Sequence, residues 1–378
     1  MTKLRSVKLS RVGVAIALLA LAGCSATNTS AGTTQPSNSG SASPANPTGT
    51  PSGSATVVTA NEPWIVYQRY ETTTGAFRIK LIRPDGTGDH QLLADSVGLR
   101  QSHPDWSPDG SRIVFAQGDK AIWTADADGS HLSKVAIPCN ATCQYLDAPV
   151  WSPDGRAIAY TRQDEPTGKD PYIRVQKIDV TDGSVATLYT PPHADATSWF
   201  SWSPDGRSLV VDVSTYPSLT DSTVTGSAIA VVDITTPKPK ARYLTPFNMF
   251  AAYPDWSPSG DRIVFTTYDL GVRDDKHFAD LSQPSNLYTI KPDGTGLTQL
   301  THNTKGAGLL RDGTASGPLS SQPTWTPDGR KILFVQVEGS AWPGWTMATI
   351  NPDGTGMAPA VATGYLLGTH PRLRPTTQ

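Results

Sequence analysis

Short apolar runs, each entered through nearly the same five residues, dominate the hydrophobic pattern of this chain. The turn reads WSPDG at Trp106–Gly110, Trp151–Gly155 and Trp202–Gly206, WSPSG at Trp256–Gly260 and WTPDG at Trp325–Gly329. Behind each copy stands an alternating stretch: Arg112–Ala116, Ala157–Tyr160, Ser208–Val211, Arg262–Phe265 and Lys331–Phe334. Such runs predict strands, and a short extended stretch precedes every copy, so each is read as a hairpin. The turn chemistry fits: Ser accepts from the backbone, Pro presets φ, Asp tolerates the bridge region and Gly leaves with positive φ. The repeated Trp predicts a ring packed against the next sheet, worth about 2–3 kcal/mol of apolar transfer.

A second turn follows in each unit, as PDGTG at Pro84–Gly88, Pro292–Gly296 and Pro352–Gly356, with weaker forms at Asp128–Gly129, Asp182–Gly183 and near Pro237. Two hairpins per unit make a four-stranded sheet. The spacings between successive Trp copies, 45, 51, 54 and 69 residues, are too uneven for a solenoid and suit blades with loop insertions. A further unit stands at Trp64–Gln68 and Phe77–Leu93 without an inner strand before it. Its missing strand is found in His370-Pro371-Arg372-Leu373, which aligns with His103-Pro104-Asp105-Trp106 and Tyr253-Pro254-Asp255-Trp256. The expected fold is therefore all-β: a six-bladed β-propeller of four-stranded antiparallel blades, with a C-terminal strand completing the N-terminal blade and removing the open edges.

The N-terminus changes the picture from a bare propeller to an exported one. Lys3, Arg5, Lys8 and Arg11 precede an apolar run, Val12–Leu21, which ends in Leu21-Ala22-Gly23-Cys24. Residues 1–23 read as a secretory signal, too short for a stable span. From Ser25 to about Ala60 the sequence is almost wholly Ser, Thr, Gly, Pro, Asn and Ala, the composition of a flexible tether with a reach of roughly 30 Å. Residues 24–60 are thus expected to be a linker and residues 61–378 the propeller. Formal charge is −2, and loss of the four basic residues before Cys24 makes it −6, which argues against nucleic acid as a partner. Of the three cysteines, Cys139 and Cys143 remain for a disulfide across a short loop, worth about 2 kcal/mol; a metal pair would need further ligands nearby.

Candidate chemistry is sparse. The chain carries no G-x-S-x-G, no H-E-x-x-H and no phosphate-binding glycine loop, and Gly313–Gly317 reads as an ordinary loop, so no enzyme and no cofactor is expected. Tight, repetitive turns should share one face of the ring and the long insertions the other, where recognition belongs. On that loop face the acidic stretch Asp269, Asp274, Asp275, His277 and Asp280 matches no metal pattern and reads as solvated. The aromatic group Trp199, Phe200, Tyr216, Phe247, Phe250, Tyr253, Trp342 and Trp345 divides between blade wedges and stacking surfaces. His103 and His370 occupy matching positions near the axis. The partner-binding set is accordingly His103, Trp199, Tyr253, Trp342, Trp345 and His370.

The pairing of WSPDG with PDGTG from Trp64 to Pro375 resembles the repeat of TolB-type (WD40-like, PD40) propellers, and is similar to the propeller of prolyl-oligopeptidase-type peptidases. The LAGC ending resembles the bacterial lipoprotein box, which implies that Cys24 is diacylated and becomes the new N-terminus. TolB-type proteins carry an α/β domain before the propeller, where this chain has the tether; the peptidases carry a hydrolase domain. The resemblance implies a monomeric, lipid-anchored, extracytoplasmic propeller in the cell envelope that binds a partner, as TolB binds a peptidoglycan-associated lipoprotein. Only repeat residues match, so the partner expected here is an envelope protein or glycan in general. The alternative is a carbohydrate-active lyase or hydrolase using channel His and Asp residues, marked by three or more His, Asp or Glu side chains converging at the channel mouth.

Overall fold

The computed structural model describes residues 62–71, 74–94, 98, 100–165, 172–192, 195–216, 224–268, 284–304, 319–337, 345–361 and 368–376. The signal segment, Cys24, the tether, Trp342, the acidic stretch Asp269–Asp280 and Gly313–Gly317 lie outside them.

The repeated turn closes through its side chains. In Ser107–Ser111 the Ser107 hydroxyl donates to Asp109 Oδ1 (2.6 Å) and accepts the Arg112 N–H (2.9 Å), while Asp109 Oδ1 also accepts the Ser111 N–H (3.0 Å). Copies at Ser152, Ser203 and Thr326 repeat this wiring. In the variant copy Ser259 replaces Asp, and Asp261, two residues on, accepts from Ser257 instead. One hydroxyl and one carboxylate therefore pin both ends of the hairpin, whatever follows.

The strands form a ring of antiparallel sheets, five as connected by hydrogen bonds among the described residues. The second is Gln101–Trp106, Arg112–Gln117, Ile122–Asp126 and Ser133–Lys134; the third is Cys143–Trp151, Ala157–Asp164, Tyr172–Asp179 and Val185–Tyr189. In the fourth, Asp195–Ala196 and Phe200–Trp202 both pair with Ser208–Thr215, followed by Gly226–Asp233 and Ala241–Tyr243. The fifth has eight strands in two antiparallel meanders, which begin at Ala251–Trp256 and Leu319–Trp325 and are joined by a single parallel pair, Ser285 with Leu319.

The first sheet is built from both ends of the described chain. Ile65–Glu71 pairs with Ala76–Ile82 on one side and with Gly368–Leu373 on the other, in the register Ile65 with Leu373 and Gln68 with Thr369. Beyond the strand, the Arg374 N–H donates to Trp64 O (2.7 Å), Arg374 Nε to Gly110 O (2.8 Å), and the guanidinium lies over the Trp106 ring (5.3 Å).

Apolar side chains fill the spaces between sheets, and a repeat Trp sits in all of them except the one between the last meander and the first sheet, where Leu373 takes its place. The direction of the Trp differs from the expected one: every ring packs against the preceding sheet. Trp106 meets Val66, Ile79 and Leu81, Trp151 meets Val114 and Ile122, and Trp325 meets Val264 and Leu287. Strand alternation places the indole on one face only, and the right-handed twist of the ring turns that face backwards along the chain. The turns themselves line up on one side, three turn glycines standing beside the turn Pro of the copy before: Gly155 with Pro108, Gly260 with Pro204 and Gly329 with Pro258. Inner strands run toward that side, so their first residues open on the opposite, loop-bearing end.

Candidate functional site

Three residues before its terminal Trp or Leu, each inner strand carries a side chain at the ring axis: His103, Ala148, Trp199, Tyr253, Gln322 and His370. All six line one cavity toward the loop-bearing end. Five of them precede proline and hold φ between 46° and 54°. A residue before Pro is ordinarily extended, and positive φ with a Cβ costs about 1–3 kcal/mol. The strand register shifts at the same places, between Ser102 and Asp105, Asp147 and Val150, Ala252 and Asp255, and Ser321 and Thr324. These are β-bulges, and each one re-aims a side chain that regular alternation would have sent between the sheets. Gln side chains tie them in place, Gln68 Oε1 accepting the His103 N–H (3.2 Å) and Gln322 Oε1 the His370 N–H (2.7 Å).

The fourth inner strand does this differently. Phe200 stands where the others have Pro, and the strand is interrupted between Ala196 and Phe200. There Asp212 Oδ1 accepts the N–H of Ser198 and of Trp199, both at 2.9 Å, and the Asp212 N–H donates to Trp199 O (3.0 Å). The corresponding position, ten residues after the repeat Trp, holds Ala116, Thr161, Thr266 and Val335 in the other copies, so the carboxylate belongs to this repeat alone.

Trp199 consequently lies across the axis. Its ring stacks on His370 (4.8 Å, 26°), faces Tyr253 (4.7 Å, 33°) and meets His103 edge-on (4.6 Å), while His103 and His370 contact each other at 4.4 Å. The cavity that remains is about 40 Å³, room for about three or four waters by the usual allowance of roughly 10–15 Å³ each.

The charged groups behind the ring are paired within the protein. His103 Nδ1 meets Asp147 Oδ1 at 2.5 Å, and the Tyr145 hydroxyl donates to the other Asp147 oxygen. Burial pushes the Asp147 carboxyl up, but the His103 charge and hydrogen bond, with those of Tyr145 and the Ala148 N–H, outweigh it and hold the group below the ordinary range. Burial, then the neighbouring His103 and Arg372, keep His370 well below a usual imidazole, and its buried Nε2 has no hydrogen-bond partner in the structure. Deeper in the channel Asp105 accepts the Trp151 N–H (2.9 Å) and faces Arg372 Nε at 3.5 Å. Burial raises it to about 6, against the pull of Arg372.

Of the partner-binding residues expected from sequence, His103, Trp199, Tyr253 and His370 come together on the axis. Trp345 opens the strand Trp345–Ile350, third in its meander, which places its backbone two strands from the inner one. Phe200 is buried between sheets and also lines the cavity wall beside Trp199, whereas Phe247 packs on Tyr243 at 5.0 Å, away from the cavity. Cys139 and Cys143 are joined by a disulfide with Cα atoms 5.2 Å apart. Ala148 and Gln322 were missed, although the same residue-before-Pro alignment marks them; Asp105, Asp147 and Asp212 have no such local signature. Among the described residues no group of three or more His, Cys, Asp or Glu could hold a metal ion, and no helix is long and apolar enough to cross a membrane.

No family model and no curated protein matches the chain. Solved structures do. TolB from Acinetobacter baumannii superposes with a TM-score of 0.56 at 15% identity, over 83% of this chain and 67% of that one. The putative TolB from Agrobacterium tumefaciens gives 0.52 at 17% identity, over 82% of this chain and 91% of its own. Hydrazine synthase from Kuenenia stuttgartiensis gives 0.57 at 11% identity, over 85% and 48%. At these identities the likeness is one of fold, and the fold is a TolB-like propeller.

Proposed function

We propose that this chain is an extracytoplasmic, lipid-anchored, six-bladed propeller that serves as a binding scaffold in the bacterial cell envelope, with its recognition site at the loop-end mouth of the axial channel. One observation carries the reading: side chains that differ from repeat to repeat converge at that mouth, on bulges strained to put them there, while the opposite end repeats the same turn. Backbone strain of this kind persists where the surroundings over-determine it, and it clusters at functional sites. The count of six rests on six inner strands, each paired with its own antiparallel partners, with the eight-stranded sheet divided at its single parallel pair.

The partner is a protein segment lying over the mouth. A sugar ring threaded into the channel has no room in about 40 Å³, when ligand pockets run to roughly 300–1,000 Å³. Tyr253→Ala should weaken capture of the partner from cross-linked cells by about 1–3 kcal/mol, as truncation of a buried aromatic anchor does. Thr295→Lys, on the turn face, should leave it unchanged. Loss of capture in the turn variant with none in Tyr253→Ala would put the site at the wrong end. The anchor is tested separately: Cys24→Ser should move the protein from the membrane fraction to the soluble one, since one residue carries the acyl chains. Retention on the membrane after a high-salt wash would refute it.

A second reading has one observation in its favour. The Tyr145, Asp147 and His103 chain orients an imidazole toward the cavity, as a general base is oriented. Trp199 occupies the place where a substrate would meet that base, which is why binding is preferred to catalysis. Turnover of an envelope glycan that disappears in His103→Ala would reverse the preference.

A further inference from the structure

Trp199 closes the channel, and the group that holds its backbone is a carboxylate without a counter-charge. Asp212 is 2% exposed. Its partners are the N–H groups of Ser198 and Trp199. The strands packed against its own, Asp195–Ala196, Phe200–Trp202, Gly226–Asp233 and Ala251–Trp256, carry Asp195, Asp233 and Asp255, and none of these charges bears on it. Around the indole the titratable and charged groups are His103 with Asp147, His370, Tyr253, and Asp105 with Arg372. All of these charges are paired with one another or, at His370, suppressed by burial.

An ionised carboxyl in such a place is costly, and the cost is relieved when water reaches it. The Ser198–Trp199 segment lies directly on the carboxyl, held to it by both N–H groups. If that segment lifts, the carboxyl is hydrated and regains its ordinary acidity. Linkage then has one direction, because the state in which the acid is stronger is the state favoured as pH rises. We propose that Asp212 and Trp199 form a proton-operated gate on the axial channel, seated while the carboxyl is protonated and released when it ionises. Burial raises Asp212 to about 7 in the seated arrangement, so the change falls in the neutral range. The gate regulates the mouth read above as the binding site and rests on that reading for its purpose, although its test requires no partner.

The test follows acrylamide quenching of Trp199 in the full chain, taken as the difference between the wild type and Trp199→Phe. Quenching should rise about twofold or more between about pH 6 and about pH 8. The rise should vanish in Asp212→Asn and persist in Asp105→Asn. Asp212→Thr supplies the residue found at the equivalent Thr161 and Thr266, and should give the same flat profile. A flat profile in the wild type, or a transition that survives in both Asp212 variants, would overturn the gate. A transition that depends on Asp212, combined with normal partner capture by Tyr253→Ala, would support the gate and refute the mouth as the binding site.

Discussion

Asp212 and Asp147 are buried carboxyls and Asp105 a partly buried one, and their neighbours give them opposite effects on stability. Burial raises Asp212 from 3.8 to about 7, so between those values the unfolded chain has released a proton that the folded chain keeps. Stability from this group therefore falls as pH rises through that window, until release of the Ser198–Trp199 segment caps the penalty. At about 1.4 kcal/mol per pH unit the penalty is up to about 4 kcal/mol. Asp212→Asn preserves an acceptor for both N–H groups, so urea midpoints should show no gain near pH 4 and a gain of up to about 4 kcal/mol near pH 8. Asp105→Asn should gain less, because Arg372 already offsets part of the burial. Asp147 has the other sign: held below the ordinary range, it stabilises the fold above the unfolded value and loses that contribution as pH falls. His103, Tyr253 and His370 were legible as axis residues because the alignment of X-Pro positions is a local pattern. Their consequences were not, since Asp147 lies 44 residues from His103 and the carboxylate under Trp199 is read only as a departure from the repeat.

Turns and strands were legible for a similar reason. The WSPDG wiring joins groups at most five residues apart, and hairpins follow from it directly. What remained hidden were the bulges, which look like ordinary X-Pro steps in sequence, and the backward direction of the Trp rings, which depends on sheet twist. The same turn nevertheless differs in context. Gly110 and Gly206 both hold positive φ, 66° and 68°. A Cβ at Gly206 would meet nothing within 4 Å, whereas at Gly110 it would lie 2.4 Å from Pro375 O and 3.2 Å from Arg374. Gly206→Ala should therefore cost about 1–2 kcal/mol, the left-handed penalty alone. Gly110→Ala should cost distinctly more, because the C-terminal segment must move as well. Equal melting points for the two variants would show that the segment does not press on that turn.

At the scale of the whole ring, the first sheet depends on Gly368–Leu373 for its inner strand. Trp106 Nε1 donates to Arg372 O (3.2 Å), and Arg374 bridges Trp64 and Gly110, so the seam is fastened to two neighbouring units. Truncation after Leu367 should lower the thermal midpoint by many degrees and leave the edge of Ile65–Glu71 open to pairing with other chains. Scanning calorimetry and light scattering read the two effects, and an unchanged midpoint would mean that the ring does not need this closure. The seam also imposes an order on synthesis. Trp106 and Arg372 are 266 residues apart, so a chain emerging from its N-terminus can finish its middle sheets while Ile65–Glu71 still waits for its neighbour. Until Gly368–Leu373 arrives, the nascent protein carries one exposed strand, and its half-life in that state is set by how quickly that segment follows.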